Sequence, residues 1–138
     1  MSWRDAPLYV EAHDLAAWLL ARTASWDRSG AACLAPRIAN ASCELVESIA
    51  LALTFPPTRR SHLERADASI VVLRTELRLA RALEIVSARR LRFACERLRT
   101  IGRMVGGWRK RVERGSSRRG AGWREEVPGD GPPAAGSV

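Results

Sequence analysis

Apolar residues recur along most of the chain at every third or fourth position, which is the spacing of one face of an α-helix. Nowhere do apolar and polar residues alternate strictly, as they would along a half-buried strand. Short polar, glycine or proline segments separate four such apolar stripes. The pattern therefore predicts four amphipathic helices, and the shortness of the connections favours antiparallel neighbours.

The four stripes define the expected core. The first contains Leu8, Ala12, Leu15 and Leu19, and its helix should run to about Trp26. The second contains Leu34, Ile38, Ala41, Leu45, Ile49 and Ala52. The third contains Leu63, Ala66, Ile70, Leu73, Leu77 and Ala80, and the pattern Ser61-His62-Leu63-Glu64 predicts a capping box at its start. The fourth begins near Ser87 and contains Leu91, Ala94, Cys95, Leu98, Ile101, Gly102, Val105, Trp108 and Val112.

The composition changes at Gly115, where the chain becomes rich in glycine, serine and proline. Such a segment cannot bury enough apolar surface to fold, so residues 115–138 are expected to form a disordered tail. Residues 1–114 are long enough to bury one core. The sequence thus predicts an all-α protein, an antiparallel up-down four-helix bundle followed by a disordered C-terminal tail.

The cellular location of the protein, and the role of its cysteines, can be predicted from features that the sequence lacks. No apolar run approaches the ~20 residues of a membrane span, and the N-terminal residues lack the apolar core of a signal peptide. We therefore expect a cytoplasmic protein with no membrane association. Cys33, Cys43 and Cys95 show no metal or redox spacing and are expected to be small core residues.

Enzyme motifs are absent from the sequence. His13 and His62 have no partner at metal-ligand spacing, and neither a nucleotide-binding loop nor paired Glu-x-x-His motifs occur. Glu44 and Glu47 are three residues apart but have no matching pair elsewhere. The sequence predicts no catalytic residue, no metal site and no cofactor.

The charge distribution is asymmetric. The net charge is +8, yet residues 1–58 carry four basic and six acidic side chains, whereas residues 59–124 carry nineteen basic and six acidic ones. A strongly basic half points to a polyanionic partner or an acidic protein surface. All but one of the basic residues are arginine, whose planar fork suits phosphate and carboxylate. Codon bias in a GC-rich genome would equally favour arginine over lysine, but would not produce the asymmetry.

Six basic residues of the fourth helix fall on one arc opposite its apolar stripe, with Glu96 as the only acid among them. They are Arg89, Arg92, Arg99, Arg103, Lys110 and Arg114. At 1.5 Å per residue this row spans roughly 37 Å, comparable with one turn of a nucleic-acid duplex. We expect the row to bind a polyanion, since an ordinary solvated helix face would carry acidic residues between the basic ones.

The third helix carries two further groups. Arg74, Arg78 and Arg81 share a narrow arc at the border of its core stripe. They could contact the same polyanion, or they could stabilise the bundle through ion pairs with acids such as Glu44 or Glu47. A second apolar side consists of Ala68, Val72, Leu79 and Leu83, which predicts an interface between copies of the chain. The pattern Gly102-x-x-x-Gly106 in the fourth helix suggests that a neighbouring helix approaches closely there.

Several segments resemble the accessory variability determinant (Avd) family of diversity-generating retroelements. The most specific is Ile101-Gly102-Arg103-Met104-Val105-Gly106-Gly107-Trp108-Arg109-Lys110. Asp14-Leu15-x-x-Trp18-Leu19-Leu20 resembles the first helix of the family. Leu63-x-x-Ala66-Asp67, followed by Leu73-Arg74 and Leu77-Arg78-Leu79-Ala80, resembles its third helix. The similarity covers about residues 8–112.

The resemblance implies a homopentamer of four-helix bundles that binds the reverse transcriptase of the element and associates with its RNA and DNA during mutagenic retrohoming. It contributes no catalytic group. Carried over by position, it implicates Arg74, Arg78 and Arg103 in contacts to the polymerase or nucleic acid. No zinc finger, RNA-recognition signature or aromatic stacking platform is visible, so binding should be sequence-nonspecific. The alternative is a helical protein–protein assembly module that does not bind nucleic acid directly.

Overall fold

The computed structural model describes residues 2–26 and 29–120, except for the side chains of residues 29–30 and 117–120. It contains the helices α1 (Pro7–Thr23), α2 (Ser29–Thr54), α3 (Arg59–Ala82) and α4 (Ala88–Gly120), and the short 3-10 turns Trp3–Asp5 and Pro56–Thr58. No strand occurs in the part of the chain described, so the predicted all-α class is confirmed. None of these helices is both long and apolar enough to cross a lipid bilayer.

The helices form a closed antiparallel ring. Helix α2 packs between α1 and α3, and α4 packs against α3 and closes the ring on α1. Ion pairs show the opposite directions of α2 and α3: Arg37 of α2 pairs with Glu76 near the end of α3, whereas Glu44, further along α2, pairs with Arg65, nearer the start of α3. The predicted up-down four-helix bundle is therefore confirmed.

The predicted stripes meet in a single core. Of the four stripes, only Leu91, Cys95 and Gly102 are partly exposed rather than buried, and Met104 joins the core in addition. Trp108 is fully buried, and the guanidinium of Arg59 lies 5.1 Å from the centroid of its ring. Each fully buried large apolar side chain contributes about 1.5–3 kcal/mol to folding, so this one cluster supplies most of the driving force.

Helix boundaries differ from the prediction at several places, and α1 ends at Thr23 rather than near Trp26. Helix α3 begins at Arg59, and its N-cap Thr58 makes no side-chain capping bond, so the predicted capping box at Ser61 is wrong. The turn Pro56–Thr58 already directs the backbone into helical geometry, because proline fixes φ near its helical value, and the helix therefore starts early. Helix α4 continues through Gly120, six residues beyond the predicted end of the bundle at residue 114.

Of the break expected at residues 27–30, residues 27–28 lie outside the described residues, as do the tail residues 121–138, whereas residues 29–30 already belong to α2. Helix α2 starts at Ser29, so Pro36 lies inside the helix rather than in its first turn. Pro36 lies on the solvent-exposed side of α2, where water can donate a hydrogen bond to the carbonyl oxygen that proline leaves without a backbone donor.

The cysteines are not all core residues. Cys33 and Cys43 are exposed, and Cys95 is partly exposed. The prediction of three core cysteines is thus wrong for the two on α2. Cys33 directly precedes Leu34, and a neighbour in sequence is turned by about 100° around the helix, which moves it off the buried stripe.

Helix α4 does not need its glycines for close packing within the chain. A Cβ atom at Gly102 would lie 3.9 Å from Cδ1 of Ile70, an ordinary contact, and a Cβ at Gly106 would meet nothing within 4 Å. The predicted close approach of a neighbouring helix is therefore wrong within one subunit, because the side chain of Ile70 stands between α3 and α4.

The substitution Gly106→Ala should stabilise the isolated subunit by about 1 kcal/mol, since alanine restricts the unfolded chain and fits without a clash. Chemical denaturation followed by circular dichroism measures this change, and Gly102→Ala should behave in the same way. Destabilisation by Gly106→Ala would contradict the expectation and would mean that another molecule packs closely on this part of α4.

Candidate nucleic-acid interface

The buried stripe of α4 determines which side chains face solvent. Ile101, Val105 and Trp108 are fully buried, so the opposite side of the helix points outward. Six basic residues lie on that side, and all of them are exposed. They are Arg89, Arg92, Arg99, Arg103, Lys110 and Arg114, which we call the basic row. The structure thus places the whole predicted row on one accessible face of a single continuous helix.

The basic row has no acidic partner among the residues that the structure describes. None of its six side chains makes an ion pair or side-chain hydrogen bond with any residue that the structure describes. Glu96, the acid within the arc, is exposed and makes no ion pair with described residues either. Within the described part of the chain, the positive charge of the row therefore meets only solvent and counterions.

Two other arginines of α4 form ion pairs that join it to neighbouring helices of the bundle. Arg97 pairs with Glu11 of α1 at 3.4 Å, which joins the two ends of the helical ring. Arg109 pairs with Asp67 of α3 and lies within 4 Å of Glu64 and Glu113. The hydrogen bond to Asp67 raises the pKa of Arg109 above its usual value, with smaller contributions from the charges of the acids around it. Arg109 thus remains charged at all physiological pH values.

The arginines of α3 lie beside α4. Arg74, Arg78 and Arg81 follow Asp67 by seven, eleven and fourteen residues, spacings that return to the same side of a helix. Because Asp67 bonds Arg109, this side of α3 is the edge that faces α4. Arg78 and Arg81 are exposed and Arg74 is half-buried, so the three extend the basic surface across the groove between α3 and α4.

These three arginines do not brace the bundle through the predicted acids. Glu44 accepts a hydrogen bond of 2.8 Å from Arg65 instead, and Glu47 makes no ion pair in the described part of the chain. Arg81 alone has a structural contact, since its Nη1 donates to the carbonyl of Val86 at 3.4 Å in the turn before α4. Arg74 and Arg78 have no ion pair with described residues and remain available to a partner.

The second apolar side of α3 is exposed. Ala68 and Val72 line a groove of about 440 Å³ between α2 and α3, whose walls carry the pairs Arg37–Glu76 and Arg65–Glu44. Leu79 and Leu83 are more than half exposed and continue the apolar strip towards the end of the helix. Val71, which the sequence pattern did not single out, is also exposed.

The fold also brings together an aromatic pair that sequence inspection missed. The rings of Trp18 on α1 and Phe93 on α4 lie 4.9 Å apart, centroid to centroid, with their planes tilted by 49°. Phe93 is exposed, at the edge of the basic row. One signal was available: Phe93 sits among arginines, off the apolar stripe of its own helix, where the core cannot use it.

Comparison with known proteins agrees with this architecture. A model of the bAvd-like protein family matches residues 10–112 of the 138. No curated protein and no solved structure matches the chain. The matched segment begins in α1 and includes α2, α3 and α4 as far as Val112, so it contains the groove between α3 and α4 and most of the basic row. The resemblance to Avd carried by residues 101–110 is thus confirmed, and the chain belongs to the bAvd-like family.

Proposed function

We propose that the protein is a non-catalytic accessory subunit of a diversity-generating retroelement, which binds the reverse transcriptase of the element and holds its RNA or cDNA during mutagenic retrohoming. Membership of the bAvd-like family supports the accessory role. The observation that carries the nucleic-acid part is the basic row of α4, which is exposed along its whole length and has no acidic partner among the described residues.

The basic row is unfavourable in the free protein. Two residues three or four positions apart on a helix have their Cβ atoms about 5–6 Å apart, so positive side chains at these positions repel one another. Phosphates that replace the surrounding counterions relieve this repulsion, and release of counterions from the nucleic acid adds a favourable entropy. The row spans roughly 37 Å, enough to follow one turn of duplex or a comparable length of single strand.

Contacts of this kind position a nucleic acid without reading its sequence. The row lies flat on the surface of a bundle, and arginine and lysine side chains on such a face meet the phosphate backbone first. Binding is therefore weakly dependent on sequence and strongly dependent on salt. The reverse transcriptase, not this protein, would supply the chemistry.

Neutralising part of the row tests the nucleic-acid interface. The variant Arg92→Gln/Arg99→Gln/Lys110→Gln should weaken binding to RNA and DNA alike and reduce the slope of log Kd against log salt by about 3, one for each lost phosphate contact. Fluorescence anisotropy with a labelled RNA hairpin and a labelled DNA duplex measures both quantities.

A matched control removes the same charge elsewhere. Arg4→Gln/Arg60→Gln/Arg65→Gln lowers the net charge equally, but none of these residues lies on the row, and Arg60 and Arg65 already pair with Glu64 and Glu44. An equal loss of affinity in both variants would show that only the net charge matters, and the row would then not be the interface.

The polymerase contact is proposed at Arg74, Arg78 and Arg103. These positions correspond to those that the resemblance to Avd implicates. Arg74 and Arg78 lie on the edge of α3 that faces α4, and Arg103 is exposed on the basic row. An acidic surface on the reverse transcriptase could therefore engage all three from one side, across the groove between α3 and α4.

Reversing these charges should abolish binding of the reverse transcriptase. The variant Arg74→Glu/Arg78→Glu/Arg103→Glu should fail to co-purify with the polymerase of its element, while its far-ultraviolet circular dichroism stays unchanged, because no ion pair of the described bundle depends on these side chains. Loss of the helical signal would show that the arginines are structural. Undiminished co-purification would remove them from the polymerase interface.

We further propose that the protein acts as a homo-oligomer, for which the resemblance to Avd implies a pentamer. The apolar strip of Ala68, Val72, Leu79 and Leu83 on α3 is exposed in the single subunit, and contiguous apolar surface of this kind marks an interface. The strip faces away from the bundle core, so a second copy can cover it without rearranging the fold.

Light scattering at micromolar concentration should therefore report an oligomer. The variant Val72→Glu/Leu79→Glu should shift the protein towards the monomer, since two carboxylates cannot be buried without partners. Val10→Glu/Leu20→Glu is the matched control, because Val10 on α1 is 40% exposed and Val72 is 42% exposed. A monodisperse monomer in the unmodified protein would contradict the assignment.

The alternative function is a helical assembly module that binds proteins only. The exposed apolar strip on α3 favours it, since such a surface suits a protein partner as well as a second copy. In that case the arginines of the row would face acidic protein surfaces, and no nucleic acid would bind even at low salt. Binding of nucleic acid by the unmodified protein at low salt therefore distinguishes the two functions.

A further inference from the structure

One end of the basic row carries an exposed aromatic side chain, Phe93, that lies outside the hydrophobic core. Phe93 lies one helical turn after Arg89 and directly after Arg92, and 46% of its surface is exposed. Its ring rests on Trp18 of α1, with the centroids 4.9 Å apart. Trp18 is itself packed against the hydrophobic core, so it forms a rigid base beneath the exposed ring.

A second arginine, outside the basic row, lies against the tryptophan of this pair. The guanidinium of Arg22 lies 5.3 Å from the centroid of the Trp18 ring, and its Nε is buried without a hydrogen-bond partner in the described structure. Arg22, Trp18, Trp26 and Arg90 line a small cleft at this end of the bundle. An exposed aromatic ring thus sits where the end of the basic row meets a second group of arginines.

This combination is the one that single-stranded nucleic-acid sites use. Such sites pair a positively charged track for the backbone with aromatic rings on which unpaired bases stack. In a duplex the bases are stacked inside the helix, and a flat ring on a surface cannot reach them. An apolar protein partner fits the surface less well, because covering Phe93 would also bury the unpaired positive charge of the neighbouring Arg89 and Arg92.

We propose that Phe93, supported by Trp18, is a stacking platform for an unpaired base of single-stranded RNA or DNA whose phosphates follow the basic row. The inference rests on the proposed nucleic-acid function and deepens it, because it names unpaired strands as the preferred ligand. Stacking tolerates any base, so the platform adds affinity for single strands without adding sequence specificity.

The test compares two probes and three variants of the full-length protein. The probes are a labelled oligouridine, which has no stable secondary structure, and a labelled DNA duplex of the same length. Phe93→Leu removes the aromatic face and keeps the apolar contact with Trp18, whereas Phe93→Trp restores a stacking face. Phe55→Leu is the matched control, because Phe55 is 54% exposed but lies in the connection between α2 and α3.

Phe93→Leu should weaken binding to oligouridine by about fivefold or more, which corresponds to loss of one stacked base, and should leave duplex binding unchanged. Phe93→Trp should bind oligouridine at least as tightly as the unmodified protein, and Phe55→Leu should bind both probes normally. Cross-linking of a 5-bromouridine probe should map to the tryptic peptide that contains Phe93.

Three results would overturn the platform. Unchanged oligouridine affinity in Phe93→Leu, with salt-dependent binding intact, would reject the platform and leave the basic row standing. A change of oligomeric state in Phe93→Leu would assign the ring to a subunit contact. Failure of the unmodified protein to bind either probe would overturn the platform together with the nucleic-acid function.

Discussion

The burial of one face of α4 is the constraint on which the functional surface depends. Leu98, Ile101, Val105 and Trp108 are all fully buried, and Trp108 fills the space between α4 and the start of α3. Because successive residues turn by about 100°, anchoring these side chains fixes the direction of every other one on the helix. The six basic side chains of the row face solvent for this reason. Their orientation does not require any hydrogen bond or ion pair of their own. Truncation of a buried tryptophan costs about 3–5 kcal/mol, so this orientation is held firmly.

Two sets of basic residues differ in what they contact. Arg37, Arg65, Arg97 and Arg109 each join two different helices through a carboxylate. Exposed pairs of this kind contribute at most about 1 kcal/mol each, but they fix the register between neighbouring helices. Arg109 is the most strongly held, since three acids surround it and raise its pKa. The basic row contains none of these residues, so a ligand can neutralise it without disturbing the ion pairs of the bundle.

Helical periodicity was enough to predict the fold and the faces of the helices. The stripes on α1 to α4 and the exposed row on α4 follow from spacing alone, because long helices repeat the same geometry many times. Periodicity could not predict contacts between helices. It placed Glu44 as a possible partner of the α3 arginines beside α4, whereas Glu44 faces Arg65 on the other side of α3. It also missed the meeting of Trp18 with Phe93, since the two rings belong to different helices and only the packing of α1 on α4 joins them.

The proposed function depends above all on binding of nucleic acid to the basic row through the phosphates. The most direct measurement is the affinity of the unmodified protein for a labelled RNA hairpin and a DNA duplex over a series of salt concentrations. If the row binds phosphates, the affinity for both falls steeply as the salt concentration rises, with a log–log slope that corresponds to roughly four or more neutralised phosphates. Absence of binding at low salt would contradict phosphate binding by the row and would reassign the arginines to contacts with the polymerase and between subunits.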